Sequence, residues 1–337
     1  MEFVEIDGSH GSGGGQIIRT AIAMSALTGK PCQIKRIRAK RENPGLSFQH
    51  LTAVKAVQEL CHAQVKGAEL RSEELTFIPG KIGSGTFNFD IQTAGSITLV
   101  LQALLPAAIH AKGPLKFNIT GGTNVPLAPS PEYFQHIFCD YLGKMGLEIK
   151  SETLRYGFYP KGGGKMQVLI NPFMPKPLEL TSRGNLLKVD CWSIATKDLQ
   201  QALVAERQLT GFRKEMNMKI EKKNLVYIDS LSTGTSVHGH SHYENCKLGA
   251  DALGERGLKA EEVGRKCAES LKKEMSLVGC VDSHCLDQLM PFMALAGKSR
   301  VLANEVTEHA RTNAYIIEKF LPVSFKISGN LVEVEKT

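Results

Sequence analysis

Short alternating apolar stretches and longer stretches with helical spacing take turns along this chain, and their order recurs. A strand over Phe3 to Ile6 leads into a glycine-rich loop, Asp7 to Gly15. A helix is then predicted from about Gln16 to Leu27, where Ile18, Ala21, Ile22, Ser25 and Ala26 fall on or near one stripe and Gly29 is the stop. A strand at Cys32 to Arg38, a polar loop, a helix at Phe48 to Cys61 and two strands around Gln64 to Leu70 and Glu74 to Ile78 complete a unit. The order returns with a strand at Phe87 to Ile91, a helix at Ile97 to Ala111, a strand at Leu115 to Thr120, a helix at Pro131 to Met145, and strands near Leu147 to Leu154 and Lys165 to Ile170. A third pass has a helix at Leu286 to Ala296, a strand at Arg300 to Val306, a helix at Ala310 to Phe320 and strands at Val323 to Ser328 and Leu331 to Glu335.

Residues 178–275 break this rhythm. They supply a strand (Leu187 to Ser193), a helix (Gln200 to Met216), strands at Leu225 to Ile228 and Thr235 to His242, and a charge-rich helix, Ala260 to Glu274. The expected architecture is mixed α/β (α+β): three strand-helix-strand-helix-strand-strand units about a pseudo-threefold axis, spanning 1–177 and 276–337, with a smaller α/β domain inserted at 178–275. A surface loop accepts such an insertion because closing a longer loop adds little entropy cost. In a threefold arrangement equivalent loops gather at one end, so Arg38, Lys40 and Arg41 should meet Gly121-Gly122-Thr123 and Thr307-Glu308-His309.

Composition narrows the classes. Hydrophobic residues make up 42% of the chain and charged residues 22%, which fits a well-cored globular protein. No apolar run reaches the roughly 18 residues needed to cross a bilayer. The opening Met1 to Asp7 carries two glutamates and no basic segment, so no secretory signal is expected and a cytoplasmic location is. The 8 cysteines contain no CxxC pair and read as reduced, mostly buried thiols. A net charge of +7 permits a polyanionic partner without demanding one.

The residues at the convergent loops suit phosphate. Arg19, Arg38 and Arg41 offer planar guanidinium forks that match phosphate oxygens, although single surface arginines commonly serve in ion pairs. Glycines 11, 13, 14 and 15 let backbone N–H groups approach an anion at a helix start, or make a tight turn and nothing more. His309 opens a helix, whose positive end favours neutral imidazole; it is a nucleophile for phosphorus or a simple cap. His238, His240 and His242 alternate along a predicted strand, and a solvated strand face is expected there in preference to a zinc or copper site.

Longer motifs carry more. Gly13 to Arg19, Ile37 to Arg41 with Pro44-Gly45-Leu46, Gln49 to Val54, Ala94-Gly95-Ser96, Leu99 to Gln102, Gly121-Gly122-Thr123, Gly157 to Gly164, Asp287-Gln288-Leu289, Pro291 to Gly297 and Glu308-His309 follow one another along the chain. With these the sequence resembles the RNA 3′-terminal phosphate cyclases over essentially its whole length. The resemblance implies a ligase-class enzyme of RNA processing that uses ATP and a divalent cation, Mg or Mn, on RNA 3′-phosphate ends. It implies His309 as the AMP-carrying nucleophile, with Arg19, Arg38, Arg41 and Gln49 handling phosphate. Gln102, Pro129, Pro131 and the run His284, Cys285, Leu286, Asp287 and Gln288 match positions of the adenylate pocket. Relatives usually have a metal-holding glutamate before the glycine triplet, where this chain has Ser12. One branch of the family lacks the histidine and acts as a ribosome-biogenesis binding factor; His309 and the three arginines set this chain apart from it. The six-unit enolpyruvyl transferases share the repeat but not the count of units.

Overall fold

A computed structural model of the chain describes residues 2–11 and 13–337; Ser12 lies outside them. The first unit runs β1 (Val4–Asp7), α1 (Gly15–Thr28), β2 (Cys32–Lys35), α2 (Phe48–Cys61), β3 (Gln64–Lys66) and β4 (Leu75–Ile78). Its sheet has the order β1-β2-β4-β3, with β1 parallel to β2 and the other pairs antiparallel. The second unit has β5 (Gly85–Asp90), α3 (Ile97–Ala108), β6 (Leu115–Gly121), a continuous helix over 131–144, β7 (Ile149–Arg155) and β8 (Gly164–Ile170). That helix is α4 (Pro131–Tyr133), a π-helical stretch (Phe134–Phe138) and α5 (Cys139–Lys144). Its sheet order is β5-β6-β8-β7, again with one parallel pair at the start.

A third sheet of this pattern corrects the sequence reading at one point. Its opening strand, β9 (Glu179–Leu180), precedes the insert and pairs in parallel with β14 (Arg300–Leu302), far along the chain. Two residues show no alternation to read, so the strand was hidden in the sequence. Between them come β10 (Leu186–Thr196), a 3-10 turn (Lys197–Ala202), α6 (Val204–Met216), β11 (Lys223–Ile228), β12 (Thr235–Tyr243), β13 (Lys247–Leu253), α7 (Ala260–Ser276) and α8 (Leu286–Ala296). After β14 follow α9 (Glu308–Phe320), β15 (Val323–Ser328) and β16 (Leu331–Lys336), giving the order β15-β16-β14-β9. β13, with its small residues and no β-branched side chain, was also missed. The helix expected from Gln200 is split at Leu203, whose φ of 50° ends one turn before α6 begins.

Helices α1, α2, α3, α8 and α9 share one large core with all three of these sheets; Ile17, Ile22, Val54, Leu101, Leu289 and Ile317 are among its fully buried members. Burial of this order, at about 25 cal/mol per Å² of apolar surface, is the principal stabilising term. The strands β10 to β13 form a fourth sheet, whose apolar residues gather with α6 and α7 in separate clusters around Phe212 and Leu271 and around Ala205.

The histidine strand is not solvated, contrary to expectation. β12 lies between β10 and β13. On one face a Cβ at Gly239 would meet Phe212 and Leu271. The opposite face is covered by the 131–144 helix, and His238 and His240 have no exposed surface. His238 binds Asp251 at 2.7 Å and Ser236 at 2.9 Å, and Glu132 lies 3.4 Å away. Burial opposes its charge, but Asp251 and Glu132 raise its pKa overall. His136 stacks on Trp192, with ring centroids 4.8 Å apart. Among the described residues, no group of three or more His, Cys, Asp or Glu side chains is arranged to hold a metal ion. These histidines join the insert to the second unit.

One glycine fixes the packing of the first unit. A Cβ at Gly15 would fall on the His50 ring, which makes the capping box of α2 with Ser47. Gly15→Ala gains helix propensity of about 1 kcal/mol but must displace this ring, at about 1–3 kcal/mol together with the cap. A net loss of stability is expected, read as a lower denaturant midpoint; an unchanged or higher midpoint would count against this contact.

Candidate active site

α9 begins where the chain leaves β14 through a short loop. Thr307 caps it, its hydroxyl accepting from Ala310 N at 3.2 Å. This places His309 in the first turn, its side chain half exposed. The Gln16 amide of α1 donates to the His309 carbonyl. Thr20 donates to Asn313 Oδ1 at 2.7 Å, and Asn313 Nδ2 donates to the Asp287 carbonyl at 2.7 Å. Helices α1, α9 and α8 thus meet through polar groups that also surround a cleft lined by Arg19, Gln102, Asp287 and Gln288.

Electrostatics brings the charged candidates into one group. Burial lowers the Arg19 pKa to about 10 against the opposing pull of Asp287, so Arg19 stays charged at neutral pH. Burial raises Asp287 to about 6, opposed by Arg19 and His284. Burial lowers the His309 pKa, and Arg19, Arg41 and His284 push it further down, with Glu308 opposing. Its Nδ1 faces Asp287 Oδ2 at 4.0 Å, beyond hydrogen-bond length. His50, behind the arginines, is depressed to about 3 by burial and then by Arg19 and Arg38. His50 is therefore neutral and adds no charge of its own to the arginine field.

Arg38 is held by its own loop, donating to Asn43 O at 2.7 Å and Gly45 O at 2.9 Å, with φ at 54°. The strand expected to reach it ends at Lys35. Arg41 is exposed, beside Arg38. Gln49 is one step removed: its Oε1 accepts from Ser96 N at 3.2 Å and bridges α2 to the start of α3. Pro129 O accepts from Thr98 at 2.7 Å, and Pro131 opens the 131–144 helix. Cys285 and Leu286 are core residues, 0% and 1% exposed. Gly121-Gly122-Thr123 contacts Ala94, Gly95 and Gly157. Of the three loops expected to converge, electrostatic coupling links the first and third, through Arg41 and His309.

Two polar atoms of cleft-lining residues are buried without a hydrogen-bond partner among the described residues, Arg19 Nε and Gln16 Oε1, and so is Thr312 Oγ1 beside Gly11. Unsatisfied buried groups cost about 1–3 kcal/mol each unless a ligand or water meets them. Gln16, Thr20 and Asn313 were not singled out in the sequence, since a polar residue on a helix looks alike whether it faces solvent or a neighbour. Ser12, the position relatives fill with glutamate, lies outside the described residues.

Guanidinium groups near a half-buried, helix-terminal histidine, on an α/β scaffold, have the chemistry that suits phosphate. The model of the family described as "RTC: RNA 3'-terminal phosphate cyclase" matches residues 10–327. The RNA 3′-terminal phosphate cyclase of Pyrococcus furiosus is 44% identical over 335 residues, covering 98% of this chain and 97% of that protein. That of Methanopyrus kandleri is 43% identical over 98% of this chain and 96% of its own length. A bacterial relative of the same name, from Nitrosospira multiformis, is 39% identical over 96% and 93%. The chain belongs to the RNA 3′-terminal phosphate cyclase family.

Proposed function

We propose that this protein uses ATP to convert the 3′-terminal phosphate of RNA into a 2′,3′-cyclic phosphate through a covalent His309–AMP intermediate. The observation that carries the reading is a half-exposed histidine in the first turn of α9, its pKa lowered by burial and by Arg19, a buried arginine whose Nε has no partner among the described residues. In the first step a lone pair of His309 forms a bond to the α-phosphorus of ATP, and pyrophosphate leaves. With Nδ1 turned to Asp287, Nε2 is the attacking nitrogen. In the second step an oxygen of the RNA 3′-phosphate takes AMP from the histidine. In the third the adjacent ribose 2′-OH attacks the RNA phosphorus, loses its proton, expels AMP and closes the ring. ATP and the RNA 3′-phosphate become AMP, pyrophosphate and the cyclic end.

Arg19, Arg38 and Arg41 supply positive charge where negative charge builds on the phosphoryl oxygens; such preorganised donors contribute about 2.7–4 kcal/mol each. Gln102 and Gln288, which line the cleft, are assigned to the adenosine together with Pro129, Pro131 and His284, the positions that the family resemblance gives to the adenylate pocket. The described carboxylates do not fit a protein-held metal centre: Asp287 is engaged by the Arg19 charge and no acidic cluster joins it. No step above depends on an ion held by these side chains.

Incubation with α-labelled ATP and Mg²⁺ or Mn²⁺, followed by a denaturing gel, tests the reading. Acid-labile label on the protein supports it; no label with either ion would move a binding-factor role to first place. A pH profile adds a second check. Because the His309 pKa is lowered, the nucleophile stays neutral down through pH 7, and reactivity is lost only as pH falls through that depressed value. The labelling rate is expected to be level from pH 8 to about 6.5 and to decline below that; a decline beginning at pH 8 would contradict this environment for His309.

A further inference from the structure

The loop Gly157 to Gly164, between β7 and β8, is distant in sequence from every residue given a role above, yet it holds an aromatic ring in the open. Tyr159 is 70% exposed while its neighbour Phe158 is buried. The loop is stiff. Gly157 N donates to Thr123 Oγ1 at 3.0 Å, and Lys161 N donates to Ser232 Oγ at 3.1 Å. A Cβ at Gly234 would run into the Phe158 ring, and one at Gly162 would come within 2.8 Å of Ala94 Cα. Tyr159 is therefore presented by three parts of the fold at once: the second unit's two turns and the insert.

Two further exposed apolar side chains stand on the turns that flank it. Leu127 is fully exposed and held at φ 60°, a conformation that disfavours an L side chain. Leu231 is 55% exposed and abuts Gly163. Cations lie on the Leu231 side of the loop. Lys161 and Arg155 are exposed, and Arg155 Nε donates to the Gly163 carbonyl at 2.5 Å. The acid at the start of the Leu231 turn, Asp229, is taken by Lys197 at 2.6 Å.

A chain of contacts leads from this patch toward the candidate site. Gly162 seats on Ala94, a Cβ at Gly95 would lie 3.3 Å from Gln49 Cβ, and the next residue, His50, feels Arg19 and Arg38. Leu127 is two residues from Pro129. We propose that Tyr159, Leu127, Leu231, Lys161 and Arg155 bind the RNA strand that leads to the reacting 3′-phosphate. A base stacks on Tyr159 while Lys161 and Arg155 meet backbone phosphates. Aromatic platforms interleaved with cations suit single-stranded nucleic acid of any sequence, because every base has a π-face. A protein partner would favour a contiguous apolar face instead.

The identity of the bound end rests on the cyclase reading; the patch itself is tested without it. Fluorescence anisotropy should measure binding of an oligoribonucleotide of about twelve residues with a 3′-phosphate to wild type, Tyr159→Ala and Lys161→Ala. Tyr159→Ala is expected to weaken binding roughly 10-fold, with Tyr159→Phe near wild type, since stacking and not the hydroxyl is used. Lys161→Ala should weaken it less and reduce the salt slope by about one counterion. In turnover, KM for the long RNA should rise in Tyr159→Ala while a 3′-phosphorylated dinucleotide is handled as before. ATP-only labelling of His309 on the same preparations reports an intact nucleotide site, so its absence in wild type would sink the cyclase reading and leave the binding result standing. Unchanged RNA affinity in both variants would overturn the proposal and turn the patch over to a protein partner. An equal defect with the dinucleotide would overturn it as well, placing these residues at the 3′ end itself.

Discussion

His309→Ala is expected to abolish adenylylation by ATP, with a loss of at least about 10³-fold, because removing a nucleophile removes the whole covalent path. The fold should survive. His309 is half exposed, and the cap bond between Thr307 and Ala310 N does not involve its side chain. A thermal midpoint within a few degrees of wild type is expected, so lost labelling cannot be ascribed to unfolding. The proposed sequence of steps makes a sharper demand. An RNA already carrying AMP on its 3′-phosphate has passed both histidine-dependent steps, and ring closure by the 2′-OH needs only the cations around the phosphorus. His309→Ala should therefore still cyclise that activated RNA at a rate near wild type. If it cyclises neither ATP-activated nor pre-activated ends, the histidine serves the last step too, and the covalent intermediate is the wrong explanation for its position.

The main elements were legible because their periods differ: α2, α8 and β15 fall where the spacing placed them, and each has clear stops. What escaped was set by distant partners. β9 is a strand only because β14, over a hundred residues later, pairs with it. The His238 face looked like a polar strand surface, and only the helix over 131–144 decides that it is buried. The same holds for the site. Arg19, Arg38, Arg41 and His309 could be named from residue chemistry and motifs. Nothing local in the sequence revealed that Asp287 would come under the Arg19 charge, that Thr20 and Asn313 would clasp α1 to α9, or that Cys285 would be fully buried.

Arg19→Ala separates catalysis from stability in a way that depends on pH. Loss of one preorganised donor should lower the labelling rate by about 10²–10³-fold. Stability responds through Asp287. Burial raises its pKa to about 6, and Arg19 holds it from rising further. For a carboxyl whose folded pKa lies above the unfolded value of about 4, the native state binds the extra proton, so stability falls as pH rises from the unfolded toward the folded pKa. Without Arg19 the folded pKa climbs and that fall continues to higher pH. At pH 5 Asp287 is mostly protonated in both proteins, and they should differ little through this group. At pH 8 the variant must either ionise a buried carboxylate that has lost its counter-charge or keep it protonated at a cost, and the deficit should be largest there. Breaking a buried contact pair costs about 3–5 kcal/mol. The deficit here is expected to be smaller, because Arg19 acts on Asp287 through its charge with no ion pair within 4.0 Å among the described residues, and the carboxyl can neutralise itself. Adding Asp287→Asn to Arg19→Ala removes the stranded charge, so the double variant should regain stability at pH 8 while labelling stays low. Denaturant titrations at the two pH values, beside α-labelled ATP assays, measure both quantities on one set of proteins. If the double variant recovered labelling as well, the effect of Arg19 would lie in holding Asp287 in place, and its direct contact with phosphate would have to be given up.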